Sequence, residues 1–204
     1  MQLIRWKIFS TEETLDKIRC VRLKGYGSPL IYSRATLSLE RAVRTDTLVP
    51  AQRYVLKSHL TRVSTLAFLF SQEGVDIFAL EGLLLFWVKK GGMVEGPIPM
   101  VPPVIEESHE SQGNVIWLIN DGMHRMTVAL RSGFPVNILL AKDVPAEWPY
   151  YALPLPRGWA DVEELESLPA GYHKKTYRRP DDRKALFRDF NAVFPGIQKE
   201  RKPF

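Results

Sequence analysis

The stretch VIWLINDGMHRMTVALRSGFPVNILLA, residues 115–141, decides the fold. Val115–Ile119 is a continuous apolar run, the mark of a strand buried on both faces. Asn120-Asp121-Gly122 breaks the run with turn residues, and the pattern from Met123 to Ser132 predicts a short helix stopped by Gly133. Pro135–Ala141 reads as a second buried strand. Strand, helix and strand in such close succession predict a βαβ-like unit within a mixed α and β class.

Upstream, Pro97–Ile105 is proline-rich and extended, as an edge strand or strand entry would be. Pro50 opens a helical stretch over Ala51–Ser71, ended by Glu73-Gly74, and a second apolar stretch covers Phe78–Val88. Two helices around a glycine would invite a helix-turn-helix reading. The apolar residues of the second stretch, Leu80 and Leu83–Val88, point in nearly every direction around a helix and leave no polar face for base edges, so that stretch is core. Residues 1–40 predict short strands (Leu3–Phe9, Ile18–Leu23, Leu30–Ser38) broken at Lys24-Gly25-Tyr26-Gly27, a turn too short to be a phosphate loop. Residues 145–170, rich in Pro, Trp and Tyr, read as a wrapping linker. A last helix is expected over Asp181–Val193, where Leu186, Phe187, Phe190, Val193 and Phe194 make one apolar stripe that wants a core. The chain thus divides into a strand-rich segment 1–41, a central domain 42–147 and a carboxy-terminal extension 148–204. The fold class is α+β, a small sheet with packed helices and a helical extension.

The composition excludes several classes. With 45% hydrophobic and 25% charged residues over 204 positions, the chain is globular and not disordered. No apolar stretch approaches the roughly 18 residues of a membrane span, and the start MQLIRWKIFS lacks a leader pattern, so a soluble cytoplasmic protein without a membrane partner is expected. Cys20 alone excludes an internal disulfide and a multi-cysteine zinc site. The net charge of +5 is uneven. From Gly171 to Phe204 ten Lys/Arg stand against four Asp/Glu, giving that segment +6 and leaving −1 for the rest. Such a segment suits a polyanion, nucleic acid or nucleotide phosphate, or else is a solvated surface.

Asn120-Asp121-Gly122-Met123-His124-Arg125 is the one dense polar cluster. A glycine at the carboxyl end of a buried strand lets the chain turn into a helix whose first N–H groups lack partners, which makes an anion site. His124 and Arg125 add donors suited to phosphate oxygens, while Asp121 would cap the helix, hold magnesium or hold a hydroxyl. The plainer alternative is a capped helix with an Asp121–Arg125 pair one turn apart.

This run resembles the ParB/sulfiredoxin superfamily, whose members place a Gly-x-[His/Arg]-Arg signature between a strand and a helix and bind nucleotide phosphates there. Its Asp-Gly-x-His-Arg form is most similar to the branch that includes free-serine kinases using ADP or ATP. The preceding PIPMVPPVIEE (residues 97–107) resembles the Pro-Ile-x-Val strand of the same domain, and the resemblance spans residues 42–147. Two functions of the superfamily are pruned by departures from its pattern. Sulfiredoxin chemistry needs a cysteine where this chain has Met123, a thioether without an ionisable proton. Partition proteins carry a large helical DNA-binding domain that the residues after Glu147 are too few to supply.

The resemblance implies a nucleotide (ATP, ADP or CTP) cradled by Gly122, Met123, His124 and Arg125, with Arg178 or Arg179 closing over it. Asp121 would hold magnesium or orient a small-molecule acceptor hydroxyl such as that of serine. A kinase also needs a base and carboxylates for the metal. Glu106 and Glu107 are the candidates beside Asp121 and His124, and strand alternation lets only one of them face the pocket. Glu40 and Glu81 are further candidates, the latter an acid within an apolar stretch that must have a partner or a job. His109 with Glu106, Glu107 and Glu110 matches no established ligand spacing and reads as a solvated loop. Trp148, Tyr150, Tyr151 and Trp159 either stack a base or staple the linker to the body. Two function classes stand: a nucleotide-dependent phosphotransferase or hydrolase, and a non-catalytic nucleotide-sensing, DNA-associated regulator.

Overall fold

The computed structural model describes residues 1–110 and 113–194. Its centre is a five-stranded mixed sheet in the order β2-β9-β7-β8-β3, formed by β2 (Thr36–Val43), β3 (Val49–Pro50), β7 (Val104–His109), β8 (Val115–Ile119) and β9 (Val136–Lys142). A three-stranded antiparallel sheet joins β1 (Gln2–Ile8), β5 (Leu84–Lys90) and β6 (Met93–Met100). Two short strands, β4 (Tyr54–Leu56) and β10 (Glu163–Leu165), pair in parallel. With α1 (Thr11–Arg19), α2 (Lys57–Ser71) and α3 (Met123–Ser132) the fold is α+β, as expected.

The central sheet is covered on both faces. Along β9, Val136, Ile138 and Leu140 enter one core with α2, α3 and β5, while Leu139 and Ala141 enter the other. Ile105 and Ile119 follow the first set; Val104 and Leu118 follow the second. This alternation is the period-2 rule acting between two apolar layers. The second layer is built from Ile18 and Val21, Ile31 and Tyr32, Tyr150–Ala152, Leu186 and Phe194.

The unit over residues 115–141 has the expected elements with a different connection. Helix α3 spans Met123–Ser132, with Gly133 in the left-handed region at φ 67° as its stop. However, β8 and β9 are not neighbours: β7 lies between them, antiparallel to β8 and parallel to β9, so the two strands joined by α3 run in opposite directions. The start of β8 is also less covered than expected, with Val115 exposed and Ile116 and Trp117 half-buried, because its outer neighbour β3 reaches only Leu118 and Ile119.

Three expectations are corrected. The strand expected at Ile18–Leu23 begins as the end of α1, started by Ser10: its side chain accepts from the Glu13 N–H and Glu13 reaches back to the Ser10 N–H. The helical stretch expected from Ala51 begins only at Lys57, and within Phe78–Val88 the regular element is β5 from Leu84. The helix expected over Asp181–Val193 is absent; the segment forms turns and a short 3-10 element, Phe190–Ala192. It docks nonetheless, as its apolar residues demanded, with Leu186 and Phe194 buried. Its backbone pairs with the turn after α1: Lys24 N–H donates to Phe187 O, Gly25 N–H to Ala185 O and Asp189 N–H to Arg22 O. Gly25 permits this contact, since a Cβ there would lie 2.2 Å from Ala185 Cβ. No described helix is long and apolar enough to cross a membrane.

Candidate functional site

Asn120 and Asp121 leave the end of β8 with both N–H groups on Val104 O, at 2.9 and 3.1 Å. Gly122 then turns the chain at φ 91°, where a Cβ would meet Pro103 Cβ at 2.9 Å. A residue with a side chain would be strained in conformation and crowded in space at the same point. The first i→i−4 bond of α3 runs from Met126 N–H to Gly122 O, so the N–H groups of Met123, His124 and Arg125 precede the helical ladder.

Arg125 stands in this first turn and is buried, 7% exposed. One terminal nitrogen, Nη2, donates to Val101 O, while the other, Nη1, is enclosed and has no hydrogen-bond partner. Burial pushes the guanidinium down to about 10, opposed by the nearby charge of Asp121. A buried arginine with an unfilled donor is costly without an anion. The neighbouring His124 accepts from the Leu56 N–H at Nε2, 3.4 Å, and its ring meets that of His59 edge-on at 4.8 Å. Leu56 caps α2, so the positive ends of α2 and α3 lie side by side at His124.

On the other face of the sheet, Glu106 is buried in a four-residue network. Arg188 grips both its carboxylate oxygens at 2.9 Å; Tyr32 OH donates to it at 2.5 Å and Asn120 Nδ2 at 2.7 Å. Arg188, 1% exposed, also donates to Trp148 O, Pro149 O and Leu186 O. Burial opposes its charge, yet Glu106 holds Arg188 above the ordinary arginine range. Tyr32, desolvated beside Glu106, is pushed well above the usual phenol range.

Glu107 points to the opposite face from Glu106, as alternation required, and lies 3.8 Å from His109. Arg178 bonds Glu110 at 2.7 Å, at the far end of the β7–β8 hairpin from Asp121, and Arg179 lies half-exposed by Asp182. The structure therefore brings Asp121, Gly122, Met123, His124 and Arg125 together and leaves Arg178 and Arg179 elsewhere. Glu81 is exposed and has the partner it was expected to need, Arg41 at 2.6 Å. Glu40 accepts from Ser38 at 2.7 Å. Tyr150 and Tyr151 are buried and Trp159 donates to Thr45 O, so these rings staple the linker to the body.

Sequence reading missed Lys175. It is 6% exposed, with Nζ donating to Tyr150 OH and, at 2.7 Å, to Tyr151 OH. Its signal was faint: a lysine one position before a threonine in a basic run carries no mark of burial. Among the described residues no three His, Cys, Asp or Glu side chains converge as a metal cage. Two grooves, about 300 Å³ beside Arg53 and Arg157 and about 410 Å³ between α2 and the carboxy-terminal half of α3, are lined by neither Asp121 nor Arg125.

Residues 13–163 match the ParB CE domain family. No curated protein and no solved structure matches the chain.

Proposed function

This chain belongs to the ParB CE domain family, and from that membership and the geometry of the Asp121–Arg125 turn we propose that it binds a nucleoside di- or triphosphate. The phosphates lie against the first turn of α3, and ATP, ADP or CTP is the ligand. The observation that carries this reading is Arg125, a buried guanidinium with one terminal nitrogen unpartnered in the first turn of a glycine-started helix. Two adjoining helix starts add partial positive charge at the same place.

Asp121 fits magnesium of the kind that keeps most of its ligands from water and phosphate, needing one protein carboxylate. With magnesium bound, the metal would neutralise developing phosphate charge; Asp121 itself would orient it or the acceptor hydroxyl. The Asp-Gly-x-His-Arg form favours phosphoryl transfer to a small hydroxyl such as that of serine, or hydrolysis. A second reading, a non-catalytic nucleotide sensor associated with DNA, is supported by Glu106. Both its oxygens are engaged by Arg188, Tyr32 and Asn120, so this carboxylate is not available as a base.

Calorimetry with ADP, ATP and CTP, with magnesium present, tests the binding. At a ligand concentration one hundred times the Kd, about 2.7 kcal/mol of added stability is expected. Absence of binding at millimolar nucleotide overturns the proposal. Binding followed by transfer to serine, or release of phosphate, selects the enzyme; binding without turnover selects the sensor.

A further inference from the structure

Lys175 reaches the same strand end from the carboxy-terminal segment. Strand β3 pairs in parallel with Leu118 and Ile119, and Gln52, two residues after it, forms a backbone bridge with Lys175. This register sets Lys175 beside the place where Asn120 and Asp121 leave β8. Its amine lies 4.9 and 4.5 Å over the rings of Tyr150 and Tyr151 and bonds both hydroxyls, yet among the described residues no carboxylate forms an ion pair with it.

The charged groups that act on it come from three elements: Asp121 at the end of β8, Glu106 on β7, and Lys174 and Arg188 on its own segment. Glu106 is gripped by Arg188 through both oxygens. Burial dominates and pushes the amine well below the ordinary lysine range. Asp121 therefore has two buried basic groups near it, Arg125 in α3 and Lys175 on the tail, neither of which has an ion-pair partner among the described residues. The missing component is an anion.

We propose that Lys175 is a second cationic ligand of the phosphate site, delivered by the carboxy-terminal segment. The inference rests on the nucleotide reading of the Asp121–Arg125 turn. In the free protein the amine is held by two phenols. When a di- or triphosphate occupies the turn, the amine takes one proton from the buffer and stays as an ammonium beside the phosphate oxygens; no covalent bond changes.

Titration calorimetry of the full chain with ADP at pH 8.5, in two buffers of different ionisation enthalpy, reads this proton directly. That pH lies about two units above the ordinary imidazole value. The expected result is a net proton uptake on ADP binding. In Lys175→Met, shown folded by near-ultraviolet circular dichroism, uptake is lost and affinity falls at least about tenfold, the scale of a hydrogen bond to a charged group. Binding without proton uptake in the unaltered protein overturns the inference and leaves the nucleotide reading standing, as does undiminished affinity and uptake in Lys175→Met. Absence of ADP binding overturns both. The uptake measurement needs no variant, so misfolding of Lys175→Met leaves the test intact.

Discussion

Glu106 and Arg188, 82 positions apart, meet in a two-point ion pair with both contacts at 2.9 Å and side chains 2% and 0% exposed. The pair ties the tail to the central sheet, and Asn120, one residue before the Asp121–Arg125 turn, donates to the same carboxylate. Tail docking and turn geometry are thereby joined through one oxygen, Glu106 Oε1.

Removing one member of this pair leaves a buried charge. Arg188→Met is expected to lower stability by about 3–5 kcal/mol, and Glu106→Gln by a comparable amount, read from urea unfolding midpoints at constant slope. The double variant should cost less than the sum of the two, because neither charge is then stranded.

Arg125 should show the opposite balance between stability and binding. Arg125→Met removes a desolvated charge with an unfilled donor, at the loss of one bond to Val101 O. The free protein should melt within a few degrees of the parent. Nucleotide affinity should fall by about 1.5–3 kcal/mol, roughly ten- to 150-fold. The exposed Lys90→Ala variant should leave affinity unchanged, and equal losses in both would place the phosphate elsewhere.

Gly122→Ala is expected to destabilise by about 1–3 kcal/mol, since the new Cβ must sit at φ 91° and 2.9 Å from Pro103 Cβ. Gly113→Ala, where φ is also positive but nothing stands within 4 Å, should cost less. Thermal denaturation of the two variants makes the comparison.

Stability should rise and then fall with pH on the alkaline side. Lys175 binds its proton less tightly folded than unfolded, so stability increases as pH climbs from the folded value toward the unfolded value of about 10.4. Tyr32 and Tyr150 are pushed well above the phenol range by burial; their contribution is complete below about pH 10 and is lost above it. Calorimetric melting from pH 7 to 11 should therefore peak near 10. Lys175→Met should remove the rise and keep the fall.

The strand–turn–helix–strand order over residues 115–141 was legible because local signals agreed: an apolar run, a glycine at each end of the helix and a second apolar run. Its topology was not, since nothing within those residues tells that β7 inserts between the two strands. The tail misled for a physical reason. Leu186, Phe187, Phe190, Val193 and Phe194 have helical spacing, but the backbone from Ala185 to Asp189 is spent on Arg22, Lys24 and Gly25. Arg188, in the middle of the stripe, is drawn inward by Glu106. Such a competition is long-range and leaves no periodic trace. The capping box at Ser10 and Glu13 was present in the sequence and outweighs the β-branched residues that suggested a strand at Ile18–Leu23. In the candidate site, the turn was readable from residue types, whereas Lys175 reaches it only through the pairing of distant segments.

The Glu106–Arg188 pair also sets an order of events during synthesis. A nascent chain that has made β7 and β8 holds a carboxylate destined for the interior with no cation to meet it, and roughly eighty more residues must be translated first. At about 5–20 residues per second, that is a delay of several seconds or more. Through that interval the sheet's second face, from Ile18 to Leu139, also lacks Leu186 and Phe194 as cover. Completion of this core thus waits for its own late-made segment.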